Sequence, residues 1–141
     1  MNYNTAKNLL GVLAILLFIQ FWLGMVINLF ASIPTLTPLN FFAYSGGREV
    51  LAHISNGVLI LIVSLTLLPH SIRLSGSNFS RLSIIGSIFA VAAIILGFTF
   101  ILGGMDNSFS IAMAMAFLSI YTVYFFEFYL VGRSEAVDLK N

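Results

Sequence analysis

Four long, unbroken apolar runs occupy most of this 141-residue chain. They cover approximately residues 9–32, 50–68, 82–102 and 109–131. An apolar run of ~20 residues is what an α-helix needs to cross the hydrocarbon core of a bilayer. We therefore predict an all-α integral membrane protein with a single membrane domain. Because the connections are short, neighbouring helices are expected to be antiparallel, giving an up-down-up-down four-helix bundle.

The scarcity of charge supports a protein surrounded by lipid. Only 8% of the residues are charged and 60% are hydrophobic, whereas a soluble domain has ~25% charged residues. A β-barrel is disfavoured, because its strands alternate apolar and polar residues and the run 84–93 does not. The net charge of +1 and the absence of a nucleic-acid signature exclude nucleic acid as an expected partner.

The basic residues predict the orientation of the bundle. With four spans, five of them fall on one side: Lys7, Arg73, Arg81, Arg133 and Lys140. Arg48 is alone on the other side. Because cytoplasmic segments carry an excess of Lys and Arg, we expect a multi-pass protein of the plasma membrane with both termini in the cytoplasm.

The three connections differ in composition. The first, residues 33–49, is the longest and contains Pro34, Pro38, a Gly46–Gly47 pair and several aromatic residues. Aromatic side chains favour the membrane interface, so we expect a lid on the outer surface. The second, roughly residues 69–81, is predicted to be a polar, serine-rich loop, and the third, residues 103–108, a tight turn.

Small residues in the third segment predict a close helix contact. Gly86, Ala90, Ala93 and Gly97 follow one another at spacings of four, three and four, so they share one helix face. Small residues let neighbouring helices approach in a membrane. Ordinary packing is the main interpretation of this stripe, and close approach to a flat cofactor is the alternative.

His53 is the leading candidate for chemistry. It lies about one turn into the second segment, near the predicted outer face, and an ionisable residue at membrane depth is a functional candidate by default. Its imidazole is suited to bind haem iron or another metal, or to relay a proton. Gly57 lies one turn below and leaves a gap that a planar ring could use. The alternative is a histidine that hydrogen-bonds to a neighbouring helix or to water.

Charged residues near the same end form a second candidate group. Glu49 precedes His53 by four residues, Arg48 is adjacent, and Asp106 lies in the other outer turn. A carboxylate there could orient the imidazole or move protons. The alternative is a set of surface charges at helix ends.

Other polar or sulfur-containing side chains lie within the spans. Gln20 and Asn28 share roughly one face, with Gly24 between them, and their amides could bind a neighbouring helix or a ligand. Met113 could supply a haem ligand opposite a histidine, although methionine more often fills a core.

Glu127 lies deep in the fourth segment among aromatic residues. Two interpretations of it stay open. A carboxyl group there could be protonated and handle protons. An interfacial ion pair with Arg81 or Arg133 is the favoured alternative.

The first helix pair resembles that of the haem A synthase family. The resemblance rests on Gln20-Phe-Trp-Leu-Gly24, a polar outer loop, and Glu49-Val-Leu-Ala-His53, and it covers roughly residues 19–60. It implies paired membrane helices and a b-type haem ligated at the outer side by His53. Leu96-Gly97 is a fainter match to the second helix pair of that family.

The chain also departs from the family pattern. The family has histidines on the last helix of its four-helix unit, whereas this fourth segment has none, and Glu49 lies four rather than three residues before the histidine. The cysteine pair of some members is missing. Haem ligation by His53 and a methionine, by His53 from two subunits, by one ligand, or none at all therefore stays open, and full synthase chemistry is not implied.

Two functions follow as expectations. The first is a small membrane protein of electron transport or haem handling that binds haem b through His53. The second is a non-catalytic accessory subunit or assembly factor of a larger, respiratory-type membrane complex. Partners are then the lipid bilayer together with other membrane subunits or further copies of the chain. A transporter ranks last, because the third segment shows little polarity near its middle.

Overall fold

The computed structural model describes residues 3–34, 39–74, 77–103 and 106–138, with the side chains of residue 77 and residues 135–138 excepted. It contains four α-helices: α1 (Tyr3–Phe30), α2 (Gly47–Arg73), α3 (Ser77–Leu102) and α4 (Asn107–Asp138). Within these ranges there is no strand. The predicted all-helical, four-helix architecture is confirmed. Pro38 of the first connection and Lys140 near the C-terminus lie outside the described residues.

The helices form a closed ring in which α1 packs on α2, α2 on α3, α3 on α4, and α4 on α1. Helices α1 and α2 are antiparallel, because Gln20 contacts His53 while Leu16 contacts Asn56. Helices α3 and α4 are also antiparallel, because Gly86 faces Tyr124 while Gly97 faces Met113. Both described chain ends therefore lie at one end of the bundle, called the termini end, and the 31–46 connection lies at the other, called the loop end.

The bundle has an apolar core that also contains polar side chains, and its outer surface is apolar. Among the residues whose side chains are described, six polar ones are buried: Asn56, Ser64, Ser71, Ser83, Ser87 and Glu127. Large apolar side chains on the outer surface are widely exposed, as at Phe18 (69%) and Phe125 (65%). All four helices are long and apolar enough to cross a membrane. Because water would penalise this exterior and lipid does not, the chain is a membrane protein with its apolar faces toward the bilayer.

Small residues bring α3 and α4 into close contact. A Cβ atom placed on Gly86 would lie 2.5 Å from Cζ of Tyr124, and one on Gly97 would lie 3.3 Å from Sδ of Met113. Ala90, between these glycines, is also buried. The small-residue stripe therefore serves helix packing, as its main interpretation predicted.

The second connection is shorter than predicted. Helix α2 continues through Pro69 to Arg73, and α3 already begins at Ser77. The proline removes one backbone donor, but the helix resumes beyond it, since the Leu74 N–H donates to the His70 carbonyl over 3.2 Å. The predicted loop at residues 69–81 was thus wrong, and His70 and Arg81 belong to helices. Helix α1 conversely ends at Phe30, two residues before its predicted limit.

Glycines determine how the 31–46 connection meets α2. Gly46, which precedes the first residue of α2, has φ of +80°, a conformation that side chains with a Cβ rarely adopt. A Cβ on Gly47 would clash with the Phe41 carbonyl oxygen, 2.0 Å away. The Ser32 N–H donates to the Ser45 carbonyl over 3.1 Å. The described parts of the connection therefore pack against the end of α1 and the start of α2. Phe42 is exposed.

Candidate functional site

His53 lies in the second turn of α2, where its ring faces α1. Its Nε2 atom is 3.0 Å from Nε2 of Gln20. Helix α2 begins at Gly47, which places Glu49 one turn before the histidine, as the sequence suggested. Gln20 and His53, predicted separately as site residues, are thus direct neighbours.

A chain of hydrogen bonds determines which nitrogen of His53 carries the proton. The Leu16 carbonyl accepts a hydrogen bond from Nδ2 of Asn56 (2.9 Å), which orients that amide. Nδ2 of Asn56 also donates to Oε1 of Gln20 (2.8 Å), which turns the Nε2 amide group of Gln20 toward the histidine. An amide N–H can only donate. Nε2 of His53 is therefore the acceptor, and the proton is on Nδ1.

The other face of the imidazole packs against Gly24. A Cβ on Gly24 would lie 3.4 Å from Cε1 and 3.9 Å from Nδ1 of the ring. Nδ1 is buried and has no hydrogen-bond partner among the described residues. The imidazole therefore lies directly beside Gly24, at ordinary contact distance.

The gap at Gly57 is also filled from within the protein. A Cβ on Gly57 would lie 3.5 Å from Nε2 of Gln20, so the Gln20 amide occupies the space that the sequence offered to a planar ligand. A haem iron would need the Nε2 lone pair that Gln20 already binds. In this arrangement the residues do not fit haem.

Met113 and the charged residues occupy other places. Met113 packs on Gly97 of α3, as described above. Glu49 lies in the first turn of α2, where a carboxylate is favoured by the helix dipole, and Arg48 is exposed. No group of three or more histidine, aspartate or glutamate side chains in the described part of the chain could hold a metal ion.

Asp106 caps the N-terminus of α4. Its Oδ1 accepts a hydrogen bond from the Ser108 N–H over 2.8 Å, and its carbonyl accepts one from the Phe109 N–H over 3.1 Å. The hydrogen bond from Ser108 holds the pKa of Asp106 below its usual value. Asp106 therefore has a structural function at a helix end, which corresponds to the alternative interpretation of the charged group.

A second polar cluster lies near the termini end, and its centre is Glu127. The side chain is completely buried, with 0% exposure. The hydroxyl of Ser71 on α2 donates to its Oε1 (2.8 Å), and the hydroxyl of Ser83 on α3 is within hydrogen-bond distance of both that oxygen and Oγ of Ser71. The cluster thus joins three helices. The favoured ion pair of Glu127 with Arg81 or Arg133 is not observed, since both arginines are exposed and the second carboxyl oxygen has no partner.

Hydroxyl groups continue from this cluster toward the middle of the bundle. The Tyr124 hydroxyl and Oγ of Ser87 are both buried, and Tyr124 faces the hydroxyls of Ser64 and Ser87. Ser64, on the facing side of α2, is fully buried and donates to the Ile60 carbonyl over 2.7 Å. The middle of the bundle is therefore more polar than the sequence indicated.

An internal polar region was not predicted from the sequence, and its members are Ser71, Ser83, Ser87 and Tyr124. Serines in apolar helices are common and bond to their own backbone, so composition alone gave no signal. A signal was available in the spacing, because Ser83 and Ser87 lie one turn apart and share the face of Gly86. Asn28, in contrast, is exposed and does not join Gln20.

Comparison with known proteins gives no relative from which a function could be transferred. No protein-family model matches the chain, and neither a curated protein nor a solved structure matches it. The resemblance of the first helix pair to the haem A synthase family therefore stays a prediction that rests on the residues quoted for it.

Proposed function

We propose that this protein is a non-catalytic accessory subunit or assembly factor of a larger complex in the plasma membrane, with both termini in the cytoplasm. The observation that carries the proposal is the position of Tyr121. This residue is 49% exposed and lies halfway along the span Asn107–Ser134. Its phenol hydroxyl would therefore be in the hydrocarbon core, where water is absent.

A tyrosine at that depth needs a partner outside this chain. Tyrosine favours the membrane interface, where its hydroxyl reaches water, and an unsatisfied polar group in hydrocarbon costs several kcal/mol. Phe125 stacks on the Tyr121 ring, with centroids 6.3 Å apart and an interplanar angle of 9°. A helix of another membrane protein, with a hydrogen-bond acceptor opposite Tyr121, would satisfy this aromatic face.

The arrangement around His53 supports a structural function for the first helix pair. The imidazole, Gln20 and Asn56 bind one another and the backbone of α1, so the side chains best suited to chemistry join α1 to α2. Interhelical hydrogen bonds of this kind stabilise membrane bundles. This is the reason for preferring the accessory subunit over a haem-binding protein.

Photocrosslinking in the native membrane tests the proposal. A photoreactive phenylalanine analogue replaces Phe125 in one variant and Phe18, an equally exposed aromatic residue on α1, in the control. We expect a discrete adduct with a second protein at position 125 and lipid adducts alone at position 18. Lipid adducts alone at both positions would contradict the proposal, and so would an adduct with a second copy of this chain.

The haem expectation is tested on the purified protein. A visible spectrum of the oxidised and reduced wild-type protein should show no haem absorption. A haem band that is lost in His53→Ala and kept in His70→Ala would overturn the accessory-subunit proposal in favour of haem binding. His70 is a suitable control because it lies on the same helix and its Nδ1 is 3.0 Å from the Thr66 carbonyl, one turn earlier in that helix.

A further inference from the structure

The Glu127 cluster has the properties of a ligand site that the proposed function does not use. Glu127, Ser71 and Ser83 are each 0% exposed. The two hydroxyls converge on one carboxyl oxygen, whereas the other oxygen, Oε2, is buried and has no hydrogen-bond partner. Buried polar atoms in proteins are nearly always paired, so an unpaired carboxyl oxygen needs an explanation.

The charge state of this carboxyl group follows from its surroundings. Besides Glu127, the charged side chains that the structure describes at the termini end of the four helices are Lys7, Arg73, Arg81 and Arg133, and all four are exposed. Tyr124, one turn away on α4, is the titratable group that faces the same interior. An ionised carboxylate buried without a paired cation carries a very large desolvation cost, whereas the neutral acid costs only a few kcal/mol. The carboxyl group at rest therefore carries a proton.

We propose that Glu127, Ser71 and Ser83 form a reversible proton-binding site within the bundle, near the cytoplasmic side. The proton is held on the carboxyl group of Glu127. On release it passes to water at the termini end, which leaves a carboxylate and a hydronium ion, and on uptake the reaction runs in reverse. The two serine hydroxyls donate to the charged form and so make release possible.

The spacing of the oxygens favours a proton over a metal ion. Oγ of Ser71 lies 2.7 Å from Oγ of Ser83 and 2.8 Å from Oε1 of Glu127. These are hydrogen-bond distances between oxygens, and they leave no space for a cation among the three atoms. The site also lies close to the termini end, because Ser71 is only two residues from the last residue of α2. The termini end is therefore the nearer side for proton exchange.

The site also provides a link between protonation and packing. Glu127 on α4 is bonded to Ser71 on α2 and Ser83 on α3, and α2 and α4 lie on opposite sides of the ring. Loss of the proton places a charge where these three helices meet. Proton release therefore requires a change in the surroundings of this cluster, such as entry of water between the helices.

Dicyclohexylcarbodiimide provides a direct test. This apolar reagent adds to protonated carboxyl groups within membranes and forms a stable N-acylurea. The full chain is labelled in liposomes over a range of pH, and the modified residue is identified by mass spectrometry. We expect labelling of Glu127 at neutral pH that decreases as the pH rises. Labelling at background level throughout would overturn the proposal.

Four variants separate the site from its surroundings. Glu127→Gln keeps an oxygen that accepts from the serines and should label at background, whereas Glu49→Gln should label as the wild type does. Ser83→Ala removes a donor to the carboxylate, so its labelling should persist to higher pH. Ser119→Ala, whose hydroxyl is bonded to the Met115 carbonyl on the outer part of α4, should leave the pH profile unchanged.

Two further outcomes would contradict the proton site. Protection of Glu127 by sodium ions at constant pH would identify a metal-ion ligand instead. Identical pH profiles for Ser83→Ala and the wild type would remove the serines from the site. Neither result depends on whether position 125 cross-links to a partner, so this inference and the accessory-subunit proposal fail separately.

Discussion

Gln20 donates a hydrogen bond to His53 across the interface of α1 and α2, with 3.0 Å between the two Nε2 atoms. The direction of this bond is determined one step away, where Asn56 donates to the other end of the same amide. The imidazole is therefore an acceptor at Nε2. A histidine that the sequence presents as a metal ligand has its lone pair bound by a neighbouring side chain.

The tautomer of His53 is the first prediction. Nitrogen NMR of the ¹⁵N-histidine-labelled protein should show a neutral ring with the proton on Nδ1, because Nε2 accepts from Gln20. In Gln20→Glu, a carboxylate faces the ring and should move the proton to Nε2. His70 provides an internal control, since its Nδ1 lies 3.0 Å from the Thr66 carbonyl and its signal should not change. A proton found on Nε2 of His53 in the wild type would disprove the direction of the bond.

Removal of Gln20 should lower the stability of the bundle. In Gln20→Leu, Nε2 of His53 loses its donor, while Asn56 keeps its bond to the Leu16 carbonyl. An orphaned buried polar atom costs about 1–3 kcal/mol, and membrane hydrogen bonds average about 0.6 kcal/mol. We expect a loss of about 1–2 kcal/mol in the free energy of unfolding in detergent, between these two limits.

The matched control is Asn28→Leu, on the same helix but exposed, which should change stability little. The double variant Gln20→Leu, His53→Leu should lose less than the sum of the two single variants, because residues that share a hydrogen bond are coupled. Additive losses would show that the two side chains act independently.

The fold was largely predictable from the sequence because span length and apolar composition are physical requirements of a bilayer. The four helices lie where the apolar runs lie, and the small residues around Gly86 do pack against α4. The residues at which the helices begin and end were harder to predict. Proline and serine at residues 69–80 suggested a loop, but backbone groups near a membrane gain from staying hydrogen-bonded within a helix, and α2 continues to Arg73.

The candidate site was predictable only as a set of residues. Gln20, Gly24, His53 and Gly57 do come together, because their spacing on two antiparallel helices brings them to one interface. What fills the space between them was not predictable. The glycines that suggested room for a ligand lie beside His53 and Gln20 instead. These contacts depend on the rotation of α1 against α2, which the spacing along a single helix does not determine.

Gly86 should tolerate no side chain. A Cβ there would lie 2.5 Å from Cζ of Tyr124, so the rigid ring would have to move within a packed interface. Overpacking of this kind costs about 1–3 kcal/mol, and we expect Gly86→Ala to lower the free energy of unfolding by that amount.

Gly132 of α4 is the control, because a Cβ there would meet nothing within 4 Å. Gly132→Ala should instead gain about 0.5–1 kcal/mol, since glycine is unfavourable within a helix. Equal effects of the two substitutions in a denaturant titration would mean that helix propensity, not contact with Tyr124, decides the outcome at Gly86.

Asp106 should make the stability of α4 depend on acid pH. Its pKa is lowered in the folded state by the hydrogen bond from the Ser108 N–H. A carboxyl group whose pKa is lower in the folded than in the unfolded state contributes stability above its ordinary pKa, and this contribution is lost as the pH falls through the folded-state value. The melting temperature of the wild type should therefore decrease in acid relative to that of Asp106→Asn, which keeps a capping oxygen without a titrating charge.

Asp106→Ala should melt at a lower temperature than the wild type at neutral pH, and the difference between their melting temperatures should narrow in acid as the wild-type carboxylate becomes protonated. Parallel pH profiles for the wild type and Asp106→Asn would show that the cap contributes through its oxygen alone.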